Sequence, residues 1–300
     1  MIAAFVASLC AARKFRLSLT GFLFVNTILI TATLNHEGFA FFALPPFIVI
    51  VRSFMPPGYR DGIRGFGYAL LFLLPALISF LVVIHFKGDT QVANAINASL
   101  FPAWKAIEPH RCCFEEPKAA IDALQWTIGK ALSYSRHVLG EFSFGIYVPI
   151  AWFGTMALMW FMIVSSIPGG YHRDAEIKNS ENEIADIRWK VTNIMLFQLG
   201  SIVPLFILGW DYGRYLLWWS CSAVAIYLCD FADAMPNVFD LLLPKRISMR
   251  FSKALGNFTS PLWLFLIIGI PPCTWTVRGF LQFSPIGSIL LPIIDHFRFA

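Results

Sequence analysis

The chain has 300 residues, of which 57% are hydrophobic, 16% aromatic and only 14% charged, with a formal net charge of +5 and a mean hydropathy of +0.66. Soluble domains carry roughly a quarter charged residues, so this composition excludes an ordinary soluble enzyme and points to an integral membrane protein. The positive balance is not a nucleic-acid signature, because the basic residues lie in loops between apolar runs, where they orient membrane spans.

In chain order, residues 1–12 are apolar and precede Arg13, Lys14 and Arg16, the reverse of a signal peptide. They read as the tail of an earlier membrane helix, with the expectation that the natural chain extends upstream. Apolar runs of about 17–25 residues, long enough to cross a bilayer as helices, follow at 17–34, 68–86, 144–166, 192–210, 215–235 and 261–277. Two shorter runs, 39–51 with Pro45 and Pro46 and 280–294 with Pro285 and Pro292, read as kinked spans, half-spans or re-entrant elements. The expected architecture is an all-α polytopic transmembrane helix bundle, one domain over 1–300 with about eight membrane segments and a long extracytoplasmic loop at 87–143.

Loop charge sets the sidedness, since short loops rich in Lys and Arg stay in the cytoplasm. One alternating set holds Arg13, Lys14 and Arg16; Arg52, Arg60 and Arg64; Arg173, Lys178, Arg188 and Lys190; and Lys245, Arg246, Arg250 and Lys253. The short loops of the other set hold only Arg214 and Arg278. The N-terminus is therefore expected in the cytoplasm, and the His36-Glu37 turn, the Asp211 to Arg214 corner, Arg278 and the long loop on the far side.

Within the long loop, Ile121, Leu124, Ile128 and Leu132 recur at helical spacing and predict an amphipathic helix that covers the outer ends of the spans or lies on the membrane. Asn97-Ala98-Ser99 matches a glycosylation sequon, relevant only in a eukaryotic secretory pathway. On the inner side, 171–190 reads as a solvated mixed-charge helix, and the basic segment 239–255 as an interfacial helix or an ordinary connector. Cys10, Cys221, Cys229 and Cys273 lie in or beside apolar runs and read as small hydrophobes. Cys112 and Cys113 are adjacent in a polar loop, without zinc-ligand spacing.

Charged residues between spans carry the chemical candidates. In Trp210-Asp211-Tyr212-Gly213-Arg214-Tyr215, an acid and a base stand three residues apart where two apolar runs meet. They form either a helix clamp or a site in which Arg214 holds an anionic group while Asp211 orients it or takes a proton. In Asn35-His36-Glu37-Gly38, Glu37 is the sole acid before Asp61, and a carboxylate beside a histidine suits a general base, although a plain helix break explains the turn as well. Asp230 and Asp233, near the inner end of a span, fit a proton pathway or local pairing. HExxH is absent because position 40 is Ala40, and no phosphate loop, dinucleotide fingerprint or GxSxG occurs, so no metal or cofactor is expected.

Leu34-Asn35-His36-Glu37-Gly38-Phe39-Ala40-Phe41-Phe42 followed by Pro45 resembles the His-Glu, Phe-rich, Pro segment of bacterial polytopic proteins encoded with surface-polysaccharide genes. The stretch Asp211-Tyr212-Gly213-Arg214-Tyr215 is similar to their Asp-Trp-Gly-Arg-Trp corner, with Tyr in place of both Trp, and Ala120-Ile121-Asp122-Ala123-Leu124 is similar to part of their outer loop. That group has further spans upstream of this segment, in keeping with the expectation that the natural chain extends upstream. That group is distantly related to exopolysaccharide and O-antigen polymerases. The resemblance implies a polymerase-like glycosyltransferase in the bacterial cytoplasmic (inner) membrane, acting at the extracytoplasmic face on a polyprenyl-pyrophosphate-linked glycan, alongside other envelope glycan assembly proteins. In that chemistry Arg214, with Arg278, binds the departing pyrophosphate, and Glu37 or Asp211, with His36, activates the acceptor hydroxyl. A transporter or flippase, or a noncatalytic membrane subunit, is the competing expectation.

Overall fold

The computed structural model describes residues 1–36, 38–60, 62–86, 88–107, 120–141, 147–165, 177–208, 212–236, 238 and 285–299. These residues are all-α. The helices are α1 (Ile2–Phe15), α2 (Leu19–Asn35), α3 (Gly38–Ser53), α4 (Pro57–Arg60), α5 (Gly62–Phe72), α6 (Leu74–His85), α7 (Thr90–Ile107), α8 (Ala120–Ala123), α9 (Ile128–Glu141), α10 (Tyr147–Ser165), α11 (Ile177–Leu208), α12 (Tyr212–Leu228) and α13 (Pro285–Phe299), with a 3-10 turn at Ala232–Ala234 after α12. The runs at 261–277 and 239–255, and Cys112, Cys113 and Cys273, lie outside the described residues.

The core forms where α1, α3, α11 and α12 meet. Phe5 and Leu9 of α1, Phe39, Phe42 and Phe47 of α3, Ile194, Met195 and Ile202 of α11, and Trp219 of α12 are fully buried. The Phe5 ring stands 5.6 Å from Phe42 and 5.8 Å from Phe47. Burying each such side chain contributes about 1.5–3 kcal/mol. Residues 1–12 thus form a helix integrated into the core.

Two prolines shape the helices in opposite ways, and a buried amide explains each outcome. In α3, Pro46 has no N–H for the Phe42 carbonyl four residues earlier. The fully buried Gln198 of α11 donates Nε2–H to that carbonyl at 3.1 Å and to the Ser222 hydroxyl of α12 at 2.7 Å. With the orphaned carbonyl satisfied, α3 runs unbroken through Pro45 and Pro46 as one helix of 16 residues. In the run at 68–86 the single expected span is instead two helices bent by 70° at Leu73, just before Pro75. Asn26 of α2 inserts into the ladder there. Its Nδ2 donates to the Phe72 carbonyl at 2.9 Å, and its Oδ1 accepts from the Ala76 N–H at 3.3 Å, the two groups that would bond each other in a straight helix.

Other expectations change in detail. The charged stretch 171–190 is not a separate solvated helix throughout, since from Ile177 it belongs to α11 and continues unbroken into the apolar run. The outer amphipathic helix is two pieces, α8 and α9, separated by a turn. Thr127 caps α9 by accepting the Lys130 N–H at 3.2 Å, and Asp122 accepts from Trp126 Nε1 at 2.8 Å across the turn. Ile128 and Leu132 are exposed. Asn97 of the sequon is 3% exposed within α7, which removes it as an accessible acceptor.

Among the described residues, one helical stretch, Asp186–Ile207 of α11, is by itself long and apolar enough to cross a membrane. The bent pair α5–α6 passes the same test jointly, while α2, α3 and Trp152–Val164 of α10 are apolar but shorter. Large apolar side chains face outward along α2 (Leu19, Leu23, Phe24) and along α5–α6 (Ile63, Leu71, Leu81, Phe86), with Ile63 87% exposed.

Candidate functional site

The antiparallel runs of α3, α11 and α12 give this bundle two chemically distinct ends. At one end, Arg13 meets Asp230 at 3.4 Å, and Lys190 meets Asp186 at 3.2 Å and Asp233 at 3.0 Å. Phe54, just past α3, packs on Phe231, 5.9 Å between ring centroids. Asp230 and Asp233 are largely exposed and paired, so local pairing rather than a proton pathway accounts for them. Such exposed pairs are worth at most about 1 kcal/mol each.

The opposite end carries His36 and Arg214. Ser18 caps α2 by accepting the Gly21 N–H at 3.1 Å, and the helix ends at Asn35, where His36 turns into an extended conformation. There the His36 Nδ1 accepts the Gly38 N–H at 3.1 Å, and its carbonyl accepts the Phe39 N–H at 2.9 Å. The side chain therefore caps the start of α3. In its neutral form this places the ring proton on Nε2.

The His36 ring then meets α12. It stands edge-on to Trp218, 5.1 Å between centroids, and Trp218 lies one helical turn from Arg214. The close approach requires Gly38, because a Cβ there would stand 2.9 Å from Trp218 Cζ3. Trp218 also packs on Phe42 at 5.3 Å and Tyr215 at 5.8 Å. Tyr215 packs on Phe206 at 5.5 Å, Phe206 on Tyr212 at 5.0 Å, and Tyr212 on Trp152 of α10 at 5.7 Å. An unbroken aromatic collar thus joins the starts of α3, α10 and α12 to the end of α11.

Arg214 projects from the first turn of α12 as an exposed side chain beside this collar. Gly213 lies in that first turn and is buried. Tyr212 anchors the corner. Its hydroxyl donates to the Phe206 carbonyl at 2.8 Å, and burial pushes its pKa above the ordinary tyrosine value. Glu37, Asp211 and Arg278 lie outside the described residues.

The structure thus brings together two candidates from motifs far apart in sequence, His36 and Arg214, through Trp218. The collar escaped sequence reading. Its available signal was the placement of Trp218 four residues after Arg214 and of Tyr212 and Tyr215 on either side of it, which gives that helix start a continuous aromatic face. Chemically, an exposed guanidinium can fork onto a phosphate or carboxylate, and the neighbouring imidazole can exchange a proton through Nε2.

The chain matches no protein-family model, no curated protein and no solved structure.

Proposed function

We propose that the chain is a multi-pass membrane protein of envelope polysaccharide assembly, acting as a polymerase-like glycosyltransferase on a polyprenyl-pyrophosphate-linked glycan at the extracytoplasmic face. The observation that carries this reading is the contact of His36 with Trp218, one turn from Arg214. It joins the two motifs whose resemblance suggested the activity. The outward-facing apolar side chains of α2 and α5–α6 support immersion in lipid, because apolar faces of this extent are unfavourable in water. The segregation of Arg13 and Lys190 to one end and His36 and Arg214 to the other fits the sidedness expected from loop charge.

In this reading the aromatic collar fixes the start of α12, the turn from which Arg214 meets the pyrophosphate. A preorganised cation stabilises the charge that develops as the leaving group departs. Glu37 or Asp211 accepts the proton of the acceptor hydroxyl, and His36 contributes through Nε2 while Nδ1 holds α3. This chemistry calls for no nucleotide or metal. Arg214→Lys keeps the charge but removes the planar fork, and Glu37→Gln removes the base, so each is expected to shorten the surface glycan in cells producing normal amounts of the variant. Unchanged chain length in both variants would overturn the assignment.

The bend between α5 and α6 favours a second reading, a transporter or flippase, because discontinuous helices line many transport sites. Reconstituted vesicles that move a labelled lipid-linked glycan between leaflets without lengthening it would select that reading.

A further inference from the structure

The end of the bundle that carries Arg13 and Lys190 has one helix pair with most of its surface turned outward. α4 and α5 follow α3 there, and of their residues only Gly65 and Ala69 are buried. We propose that this pair is a docking surface for an anionic phospholipid, with Arg60 and Arg64 holding the phosphate of its headgroup and Tyr59, Ile63 and Leu71 seated among the acyl chains. This surface presupposes the membrane reading above and lies at the opposite end from His36 and Arg214.

Backbone contacts fix the corner between the two helices. Gly62 turns the chain at φ 68°, in the left-handed region that favours glycine. A Cβ at Gly65 would collide with the Arg60 carbonyl oxygen, so only glycine lets α5 fold back this closely on α4. Arg52 of α3 then locks the corner. Its Nε donates to that same Arg60 carbonyl at 2.8 Å, and its guanidinium stands over the Phe66 ring, 4.3 Å from the centroid. Arg52 is thereby committed to holding the pair, whereas Arg60 and Arg64 are exposed.

The surroundings of the two arginines select a lipid over a soluble anion. Tyr59, Ile63, Phe66, Tyr68, Leu70 and Leu71 are all exposed, and the Tyr59 and Tyr68 rings meet edge-on at 5.6 Å. α5 is bent by 70° from α6. With α6 upright in the bilayer, α5 lies close to the membrane plane, the attitude of an interfacial helix whose apolar side chains enter the bilayer while its basic ones stay at headgroup level. Tyrosines suit the same level. Two guanidinium forks beside an apolar face match a phosphodiester on a diacyl tail. Free phosphate lacks the tail, and a zwitterionic lipid brings an ammonium group that the arginines repel.

Native membranes holding the full-length protein are first washed with alkaline carbonate; release of the chain would overturn the membrane reading and the lipid surface together. The retained protein is then reconstituted in phosphatidylcholine nanodiscs containing a small fraction of phosphatidylglycerol with a photoreactive diazirine near its glycerol. After illumination, adducts are mapped by mass spectrometry. The expected adducts fall on peptides covering 57–72, and unlabelled phosphatidylglycerol displaces them while added phosphatidylcholine and inorganic phosphate do not. With each basic residue near an anionic surface worth roughly 5-fold in binding, Arg60→Gln combined with Arg64→Gln should lower the yield on 57–72 by about 25-fold, and lysine at both positions should restore most of it. Adducts confined to other segments, displacement by phosphatidylcholine or phosphate as effective as by phosphatidylglycerol, or an unchanged yield in the glutamine variant would overturn the surface and leave the membrane reading standing.

Discussion

Replacing Asn26 by leucine tests how the chain tolerates a broken helix inside an apolar bundle. Asn26 is 3% exposed, and its amide satisfies both the Phe72 carbonyl and the Ala76 N–H at the bend. If the bend persists in Asn26→Leu, two buried backbone groups lose their partners, at about 1–3 kcal/mol each. Burying the leucine returns about 1.5–3 kcal/mol, leaving a net loss on the order of 2 kcal/mol. For a chain of this size that corresponds to a fall of about 4–8 °C in melting temperature. The assay is thermal unfolding in detergent micelles, followed by tryptophan fluorescence. Pro75→Ala supplies the companion measurement. It restores the N–H that a straight helix needs at position 75, so in the double variant the Phe72 carbonyl can bond Ala76 directly and much of the loss should be recovered. Wild-type stability of Asn26→Leu, or the same loss in the presence and absence of Pro75→Ala, would refute the inserted-amide explanation.

Further outcomes follow from the same geometry. Gln198→Leu strands the Phe42 carbonyl that Pro46 leaves open and should destabilise the protein by about 1–3 kcal/mol, an effect that Pro46→Ala should suppress in the same melting assay. Gly38→Ala drives a methyl group against Trp218 and should cost about 1–3 kcal/mol of overpacking strain, reported by a shift in tryptophan emission and by shorter surface glycan. Tyr212 has its folded pKa raised by burial, so its contribution to stability is complete below the unfolded value of about 10 and is lost as pH rises through the folded value. Tyr212→Phe should therefore flatten the alkaline limb of the stability profile while removing about 1 kcal/mol at neutral pH with the hydrogen bond to Phe206; an unchanged alkaline limb would contradict this.

Helix positions were largely legible because long apolar runs have one solution in lipid or in a core: α2 and α10 fall within two or three residues of the expected segments. The prolines were less legible, since their effect depends on residues elsewhere. Pro45 and Pro46 read as a possible interruption, yet Gln198 supplies a donor and α3 continues. Pro75 lay inside an expected span, yet Asn26 supplies both a donor and an acceptor and the helix bends. Both amides were visible as uncharged polar residues in apolar runs, where an unsatisfied group is costly enough to demand a partner. Only the three-dimensional structure identifies that partner. At the candidate site, loop charge anticipated one end for His36 and Arg214, but not the tryptophan between them. That contact depends on the absence of a side chain at Gly38, which no local pattern reveals. The outer helix failed at Trp126-Thr127, where Thr127 starts a new helix and overrides the apolar spacing across it.

The most direct measurement of the proposed activity uses the purified protein in liposomes with a polyprenyl-pyrophosphate-linked oligosaccharide, following glycan length by gel and mass spectrometry. Wild-type protein should join repeat units into longer chains with release of polyprenyl pyrophosphate, and Arg214→Lys, folded to the same melting temperature, should slow that step by roughly 10²-fold. Equal lengthening by Arg214→Lys, or no lengthening by the wild-type protein, would contradict the assignment.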